Sequence, residues 1–404
     1  MLEKRTTDRV LTGLTMVIAV LMVYLLVLSG TGLSLMKHSA YDSYTLQAMA
    51  WREGRTTVDQ ASHSWLELAE FEGEFYVSFP PFPSVVMLPL TFLWGENTPT
   101  LLTNLIMALM TAGFGYSLLL RMKADPVRAA VISFFYVCGC NLWIIMLRGG
   151  VWYTAQGMSM LLTTVFFRGV TGAEGGKGKV GVAAGLICLA LAVGCRPFQA
   201  VYVPYGLFCL YRFVHQKEEG FFRTLLRMIP YVIVPLLIAA AYGWYNFIRF
   251  GNPLEFGHNF LPEFTRPGNT QFSLSHWGKN LGNILRMPRL ENGVLTFEML
   301  GPSALVLLNP LYVICGMEAV RRAVRRTWDT DDWILLAGLL IHFNLLLLHR
   351  TLGGMQLGTR YMIDLMPALL LFTWRGGRKI TRLDALLMLL GISMNIYGSV
   401  AFFR

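Results

Sequence analysis

The sequence predicts an all-α fold, a polytopic bundle of about eleven membrane-crossing helices with a cap built from two long loops. Three observations carry this. Apolar residue types make up 54% of the 404 residues and charged types only 14%, against roughly 25% charged in soluble domains, and the mean hydropathy is +0.50. Apolar stretches long enough to cross a bilayer recur along the chain, where a span needs about 20 residues. Basic residues gather at every second connection between those stretches, as they do in cytoplasmic loops.

The predicted spans are 10–35, 99–120, 128–147, 154–168, 179–195, 199–212, 229–248, 302–320, 333–349, 361–374 and 383–403. Several fall short of a full crossing and are expected to extend into polar flanks or to break near proline. Lys4, Arg5 and Arg9 precede the first span. The later clusters are Arg121/Lys123/Arg128, Arg168/Lys177/Lys179, Arg212/Lys217/Arg223/Arg227, Arg321/Arg322/Arg325/Arg326 and Arg375/Arg378/Lys379/Arg382. This alternation places the N-terminus in the cytoplasm. It also decides the apolar piece 82–95, because a crossing there would put every later cluster outside. That piece is therefore expected to lie at the outer interface or to dip in partway. The whole chain, 1–404, reads as a single membrane domain with cap segments 36–98 and 249–301. The first carries interfacial helices and is mildly acidic; the second is rich in Gly, Pro and Asn. No internal repeat is seen, which argues against an inverted-repeat transporter.

The net charge of +10 follows from the cytoplasmic clusters, and nucleic acid is not expected as a partner. The six cysteines, Cys138, Cys140, Cys188, Cys195, Cys209 and Cys315, lie in or beside apolar stretches. They read as small buried residues rather than a disulfide frame or a metal site. The run from Val10 to Leu35 is too long for the core of a signal peptide and no convincing small-residue cleavage site follows, so it reads as a retained first helix.

The most informative stretch runs from Ala40 to Pro89. It opens AYDSYTLQAMAWREGR directly after the first span and closes GEFYVSFPPFPSVVMLPL. Tyr41, Tyr44, Met49 and Trp51 suggest an amphipathic interfacial helix. Asp42 before it has two readings, an N-cap for free backbone N–H groups or a general base above a lipid-embedded cleft.

This stretch resembles the first external loop of the GT-C-type glycosyltransferases that use polyprenyl-phosphate-linked sugars, bacterial relatives of the protein O-mannosyltransferase and aminoarabinose-transferase group. The resemblance is carried by Asp42 after the first helix, by the short helix ending Ala50-Trp51-Arg52-Glu53-Gly54-Arg55, and by Tyr76-Val77-Ser78-Phe79-Pro80-Pro81. Trp244-Tyr245-Asn246-Phe247-Ile248-Arg249-Phe250-Gly251-Asn252-Pro253-Leu254-Glu255-Phe256-Gly257 and Gly358-Thr359-Arg360-Tyr361, followed by Asp364 and Pro367, are similar too. It implies a GT-C-like bundle with its active site on the external face of the inner (plasma) membrane. It further implies a polyprenyl-phosphate-linked sugar donor and a glycan, lipid or protein acceptor in the cell envelope. Many relatives carry an acidic pair after the first helix, whereas Tyr41-Asp42-Ser43 offers one carboxylate. Asp59 is the candidate for the second acidic role.

A single carboxylate suits that chemistry. A glycosidase must protonate an alkoxide leaving group and so needs two carboxyl groups. A sugar on a polyprenyl phosphate leaves as phosphate, so one base to take the acceptor's proton suffices, with inversion because no nucleophile is assigned. Cations must instead stabilise the departing phosphate. Arg148, Arg196, Arg249, Arg350 and Arg360 all fall at expected outer helix ends, where the charge rule alone would not place them. Snorkelling to headgroups accounts for part of this set. Arg196 and Arg360 are the choices for the phosphate, because charge at the edge of an apolar helix is costly and usually functional. Asp364, four residues after Arg360, is expected to pair with it across one helical face. His349, Arg350, Arg249 and Tyr361 complete the expected site.

His258, His276, Glu255 and Glu263 are metal-ligand types, but their spacing matches no rule of metal ligation; no cofactor is assigned and a divalent metal is unsupported. Asn246, His342 and Asn344 within spans read as interhelical hydrogen-bonding residues. The reading is thus a hexosyl or pentosyl transferase with Asp42 as base. Its rival is a transporter or flippase for a lipid-linked or anionic solute. A non-catalytic scaffold is the third.

Overall fold

A computed structural model describes residues 2–59, 67–173, 178–216, 218–266, 270–298 and 301–403. Lys177 and Lys217, members of two expected basic clusters, lie outside these residues, as does the centre of the linker between the fourth and fifth predicted spans.

The chain opens with α1 (Leu2–Thr31), whose unbroken apolar run needs no partner to stay helical in lipid. The first cap loop holds α2 (Ser43–Arg52), a hairpin of β1 (Leu68–Phe71) and β2 (Glu74–Val77), and α3 (Phe82–Trp94). Then come α4 (Thr100–Arg121), α5 (Pro126–Cys138), α6 (Leu142–Met146), α7 (Val151–Val170), α8 (Lys179–Val193), α9 (Val203–Val214) and α10 (Phe221–Phe250). The second cap loop carries α11 (Leu274–Ile284) and a hairpin of β3 (Arg289–Glu291) and β4 (Val294–Thr296). The chain closes with α12 (Leu305–Leu308), α13 (Leu311–Arg325), α14 (Thr330–Leu347), α15 (Met366–Trp374) and α16 (Arg382–Phe403).

Among the described residues, five helices are long and apolar enough to cross a bilayer alone: Thr6–Thr31, Thr100–Arg121, Phe221–Phe250, Thr330–Leu348 and Arg382–Phe402. Other predicted spans are broken, and each break has a local cause. The segment 128–147 turns at Gly139 and Asn141, where Asn141 exchanges hydrogen bonds with Asn309 and donates to the Leu357 carbonyl. Pro310 ends α12 and starts α13. Pro197 and Pro367 stand at the starts of 3-10 and helical turns in two more. The segment 82–95 forms α3, at 13 residues too short to cross. The two short hairpins were not foreseen.

α7 lies at the centre, buried on nearly every side. It meets α8 closely because Gly169 faces Gly185; a Cβ at Gly169 would come within 2.4 Å of the Gly181 carbonyl oxygen. Trp143, Phe166, Phe167, Tyr202, Phe372 and Trp374 fill the main core around it. A smaller core of Tyr44, Ala48, Val77, Phe79, Met87 and Val151 glues the first cap loop to the start of α7. Of the polar residues expected between helices, His342 meets the Tyr202 hydroxyl at 3.2 Å, and Asn344 accepts from Trp277 of α11. Asn246 instead donates to the Pro253 carbonyl, closing the end of α10. All six cysteines are free.

Both cap loops meet at one end of the bundle. The Pro80-Pro81 end of the first hairpin joins the α8 exit through Phe82 N–H donating to the Gly194 carbonyl at 3.0 Å. The second loop is tied to the end of α14 by Arg350 N–H donating to the Gln271 carbonyl. Arg128, Arg212, Arg322, Arg375 and Arg378 gather at the opposite end, where they bridge helices and loops.

Candidate active site

Four segments converge beneath the cap. The first is the turn before α2. Val151 N–H donates to the Tyr41 carbonyl at 2.8 Å, so the start of α7 is pinned to this turn. Asp42 follows, buried, with one oxygen accepting from Thr45 N–H and the other from the Thr45 hydroxyl. It is thus the N-cap of α2. Burial pushes its carboxyl pKa up, against the Thr45 hydrogen bonds and the charge of His38.

The second segment is the hairpin, where Ser78 donates through N–H and hydroxyl to the Glu67 carbonyl. The third is the exit of α8. Arg196 extends to Asp364, Nε to Oδ2 at 2.9 Å, and lies 4.6 Å from the centre of the Tyr361 ring. The fourth is the 3-10 turn Arg360–Leu365 before α15. Arg360 lies 5.0 Å from the same Tyr361 ring and 5.4 Å from that of Tyr153. Gly353, at φ +97°, makes room for it, since a Cβ there would stand 2.5 Å from Arg360 Nε.

Tyr361 therefore sits against two guanidinium groups, as cation–π geometry favours. The sequence expected Asp364 to pair with Arg360. It pairs with Arg196 instead, because the turn is 3-10, where residues three apart eclipse and residues four apart diverge.

A cavity of about 260 Å³ opens beside Arg196 and Tyr361, lined also by Ser78, Phe198, His258, Gln271 and His349. Burial drives both imidazoles to the neutral form, to about 4 for His258 and about 3 for His349. Among the described residues, the buried Arg360 Nε, Asp364 Oδ1, Gln199 Oε1 and Tyr44 hydroxyl are without hydrogen-bond partners. Buried groups left so are costly and are satisfied when a ligand or water supplies partners.

Other expected residues are placed elsewhere. Arg249 is buried and engaged, with Nη1 donating to the Val77 carbonyl at 3.0 Å and Nη2 to Asn246. It holds the end of α10 to the first hairpin. Arg148 lies over the rings of Tyr153 and Phe402. Arg350 is half-buried beside Glu263. The Asp59 carboxylate is 90% exposed and pairs with Arg55 in its own loop. No group of three or more His, Cys, Asp or Glu that could hold a metal occurs among the described residues.

The structure aligns over 94% of this chain with ArnT from Cupriavidus metallidurans bound to undecaprenyl phosphate, at a TM-score of 0.51 and 15% identity. It aligns over 97% with an oligosaccharyltransferase from Archaeoglobus fulgidus, at a TM-score of 0.54 and 13% identity. The fold is GT-C-like. The likeness is one of architecture, and the chain spans 62% and 55% of the lengths of those two proteins. No protein-family model matches the sequence, and no curated protein matches it either.

Within this GT-C arrangement one residue escaped the sequence reading. Glu67, one position before β1, accepts a hydrogen bond from Trp152 Nε1 in the first turn of α7. Its backbone is left-handed, at φ +47°, unusual for a glutamate. In the sequence it was one acidic residue among several in the cap, and only the hairpin register turns it inward.

Proposed function

We propose that the protein transfers a sugar, hexosyl or pentosyl, from a polyprenyl-phosphate carrier to a glycan, lipid or protein acceptor of the cell envelope. The observation that carries this is the pair of guanidinium groups of Arg196 and Arg360 on one tyrosine ring, beside a cavity under the cap of a GT-C-like bundle. Two cations held by a ring and by buried carbonyl and carboxylate partners are preorganised for phosphate.

In the reaction the acceptor oxygen bonds to the anomeric carbon as the bond from that carbon to the phosphate oxygen breaks. The electron pair leaves on the phosphate, where Arg196 and Arg360 stabilise it. Asp42 takes the acceptor's proton once the Thr45 contacts are exchanged for the acceptor. The burial that raises its pKa makes it a stronger base when ionised. Inversion follows, since no enzyme group attacks the sugar. The neutral His349 offers a hydrogen bond rather than charge. The cap faces the outside of the plasma membrane, in keeping with basic clusters at the other end.

Protein in lipid nanodiscs, given a panel of polyprenyl-phosphate monosaccharides, tests this. Free polyprenyl phosphate should appear with wild type and be abolished in Asp42→Asn, which keeps a capping oxygen and so the fold. Near-normal release by that variant would remove Asp42 from the mechanism.

A further inference from the structure

The two carboxylates near the arginines have different surroundings. Asp364 is bonded to Arg196. Glu67 forms no ion pair among the described residues; its one side-chain hydrogen bond is from Trp152. Both groups meet the first turn of α7: Trp152 donates to Glu67, the next residue, Tyr153, lies 5.4 Å under the Arg360 guanidinium, and the charge of Arg360 acts on Glu67. The Trp152 and Tyr153 rings stand 6.2 Å apart, edge to face. Arg360 in turn has an unpartnered Nε. A left-handed backbone and two hydrogen bonds from Ser78, itself on the cavity wall, hold Glu67 in this place.

We propose that Glu67 is the resident counter-ion of Arg360, and that the donor phosphate takes its place while Glu67 takes up a proton from solvent. This rests on the sugar-transfer reading and adds to it a rule for how the anionic donor enters. A donor phosphodiester brings one negative charge. With Asp364 committed to Arg196, an ionised Glu67 would leave two anions competing for Arg360 in a poorly hydrated site. Protonation removes the competitor.

The groups facing Glu67 are Trp152 from α7, Arg360 from the turn before α15, and Glu263 from the second cap loop. Tyr44 of α2 lies within electrostatic reach, and Arg350 acts on Glu263. Burial raises the Glu67 carboxyl to about 7; Arg360 and Trp152 oppose that rise and Glu263 adds to it. Below that pH Glu67 is neutral and leaves Arg360 free. Above it Glu67 is ionised, and binding an anion must first pull a proton on. Affinity is therefore highest in mild acid and falls about tenfold per pH unit above neutrality.

The test uses a farnesyl methyl phosphodiester, which keeps a single negative charge near neutrality. Binding to wild type, Glu67→Gln and Arg360→Ala is measured in phosphatidylcholine nanodiscs by tryptophan fluorescence between about pH 6 and about pH 8.5. Wild type should lose about tenfold in affinity over the last unit, with uptake of close to one proton per ligand in weakly buffered solution. Glu67→Gln should bind at every pH as tightly as wild type does in acid, without proton uptake. Wild-type binding that is flat with pH and takes up no proton, yet is lost in Arg360→Ala, would overturn the counter-ion and leave the phosphate site standing. Absence of wild-type binding at every pH would overturn both. The proton count is made on wild type alone, so it decides the matter even if the glutamine variant fails to fold.

Discussion

The two ends of the bundle treat buried charge in opposite ways. At the end away from the cap, Arg322 binds Glu318 at 3.0 Å and also Asp332, Arg378 binds Glu318 at 2.8 Å and Asp384 at 2.9 Å, and Arg375 holds Asp329 and Asp332. Arg212 adds a bond to Asp331. Most charged groups there have protein partners, though among the described residues Arg128 Nε, Glu219 Oε2 and one Nη of Arg378 make no hydrogen bond. Under the cap, Asp364 is bonded to Arg196 while Arg360 forms no ion pair among the described residues, and Arg360, Asp364, Gln199 and Tyr44 each keep a buried polar atom without a hydrogen-bond partner there. A network that is satisfied clamps helices. One left partly unsatisfied, at an energetic cost, is waiting for something else.

That contrast makes separable predictions. The largest effect is expected from Arg360→Ala. Its guanidinium makes one side-chain hydrogen bond, 3.4 Å to Gln156, so the variant should fold with a near-normal Tm. Its donor turnover should fall by about two to three orders of magnitude, the usual loss when a charge-stabilising group is removed. A normal turnover with a lowered Tm would reverse the roles given to the two ends.

Next is Arg322→Met at the clamped end. Stranding Glu318 and Asp332 beside fewer cations should cost about 3 kcal/mol of stability, read as a drop in Tm in detergent. Turnover per folded molecule should be unchanged. Weaker again is the difference between two replacements of Asp42. Asparagine keeps the cap on α2, whereas alanine loses it and should cost about 1 kcal/mol more; both should lack transfer. The smallest effect is expected from Asp59→Asn. The Asp59 carboxylate is 90% exposed, so neither Tm nor turnover should move measurably.

What was legible in the sequence follows the same division. Helices and cap were legible because bilayer thickness and charge asymmetry act on local sequence, as in α1 and α10. Arg196 and Arg360 stood out because charge at apolar helix ends is rare, and Tyr361 through the Gly358-Thr359-Arg360-Tyr361 motif. Their pairings were not legible. Asp364 chose Arg196 over its neighbour in sequence because the Arg360–Leu365 turn is 3-10, and that choice spans 168 residues. Arg249 stood in the sequence among the further candidates at outer helix ends, and only the hairpin shows the Val77 carbonyl that occupies it. Glu67 was hidden for the same reason, since a carboxylate's burial depends on which strand lies across from it. The turn within the predicted span 128–147 is held by a contact between Asn141 and Asn309, which no hydropathy window contains, whereas the break in 302–320 falls at Pro310, as a proline can announce.

The most direct test of the central claim is to titrate undecaprenyl phosphate into nanodisc-embedded wild type, Arg196→Lys and Arg360→Ala and to measure Kd by tryptophan fluorescence. Arg196→Lys keeps a cation for Asp364 but loses the planar fork. Binding by wild type that weakens by tenfold or more in both variants, with Tm preserved, is the expected result. Equal affinity in all three proteins would show that the two guanidinium groups on Tyr361 do not form a phosphate site, and the account would fail there.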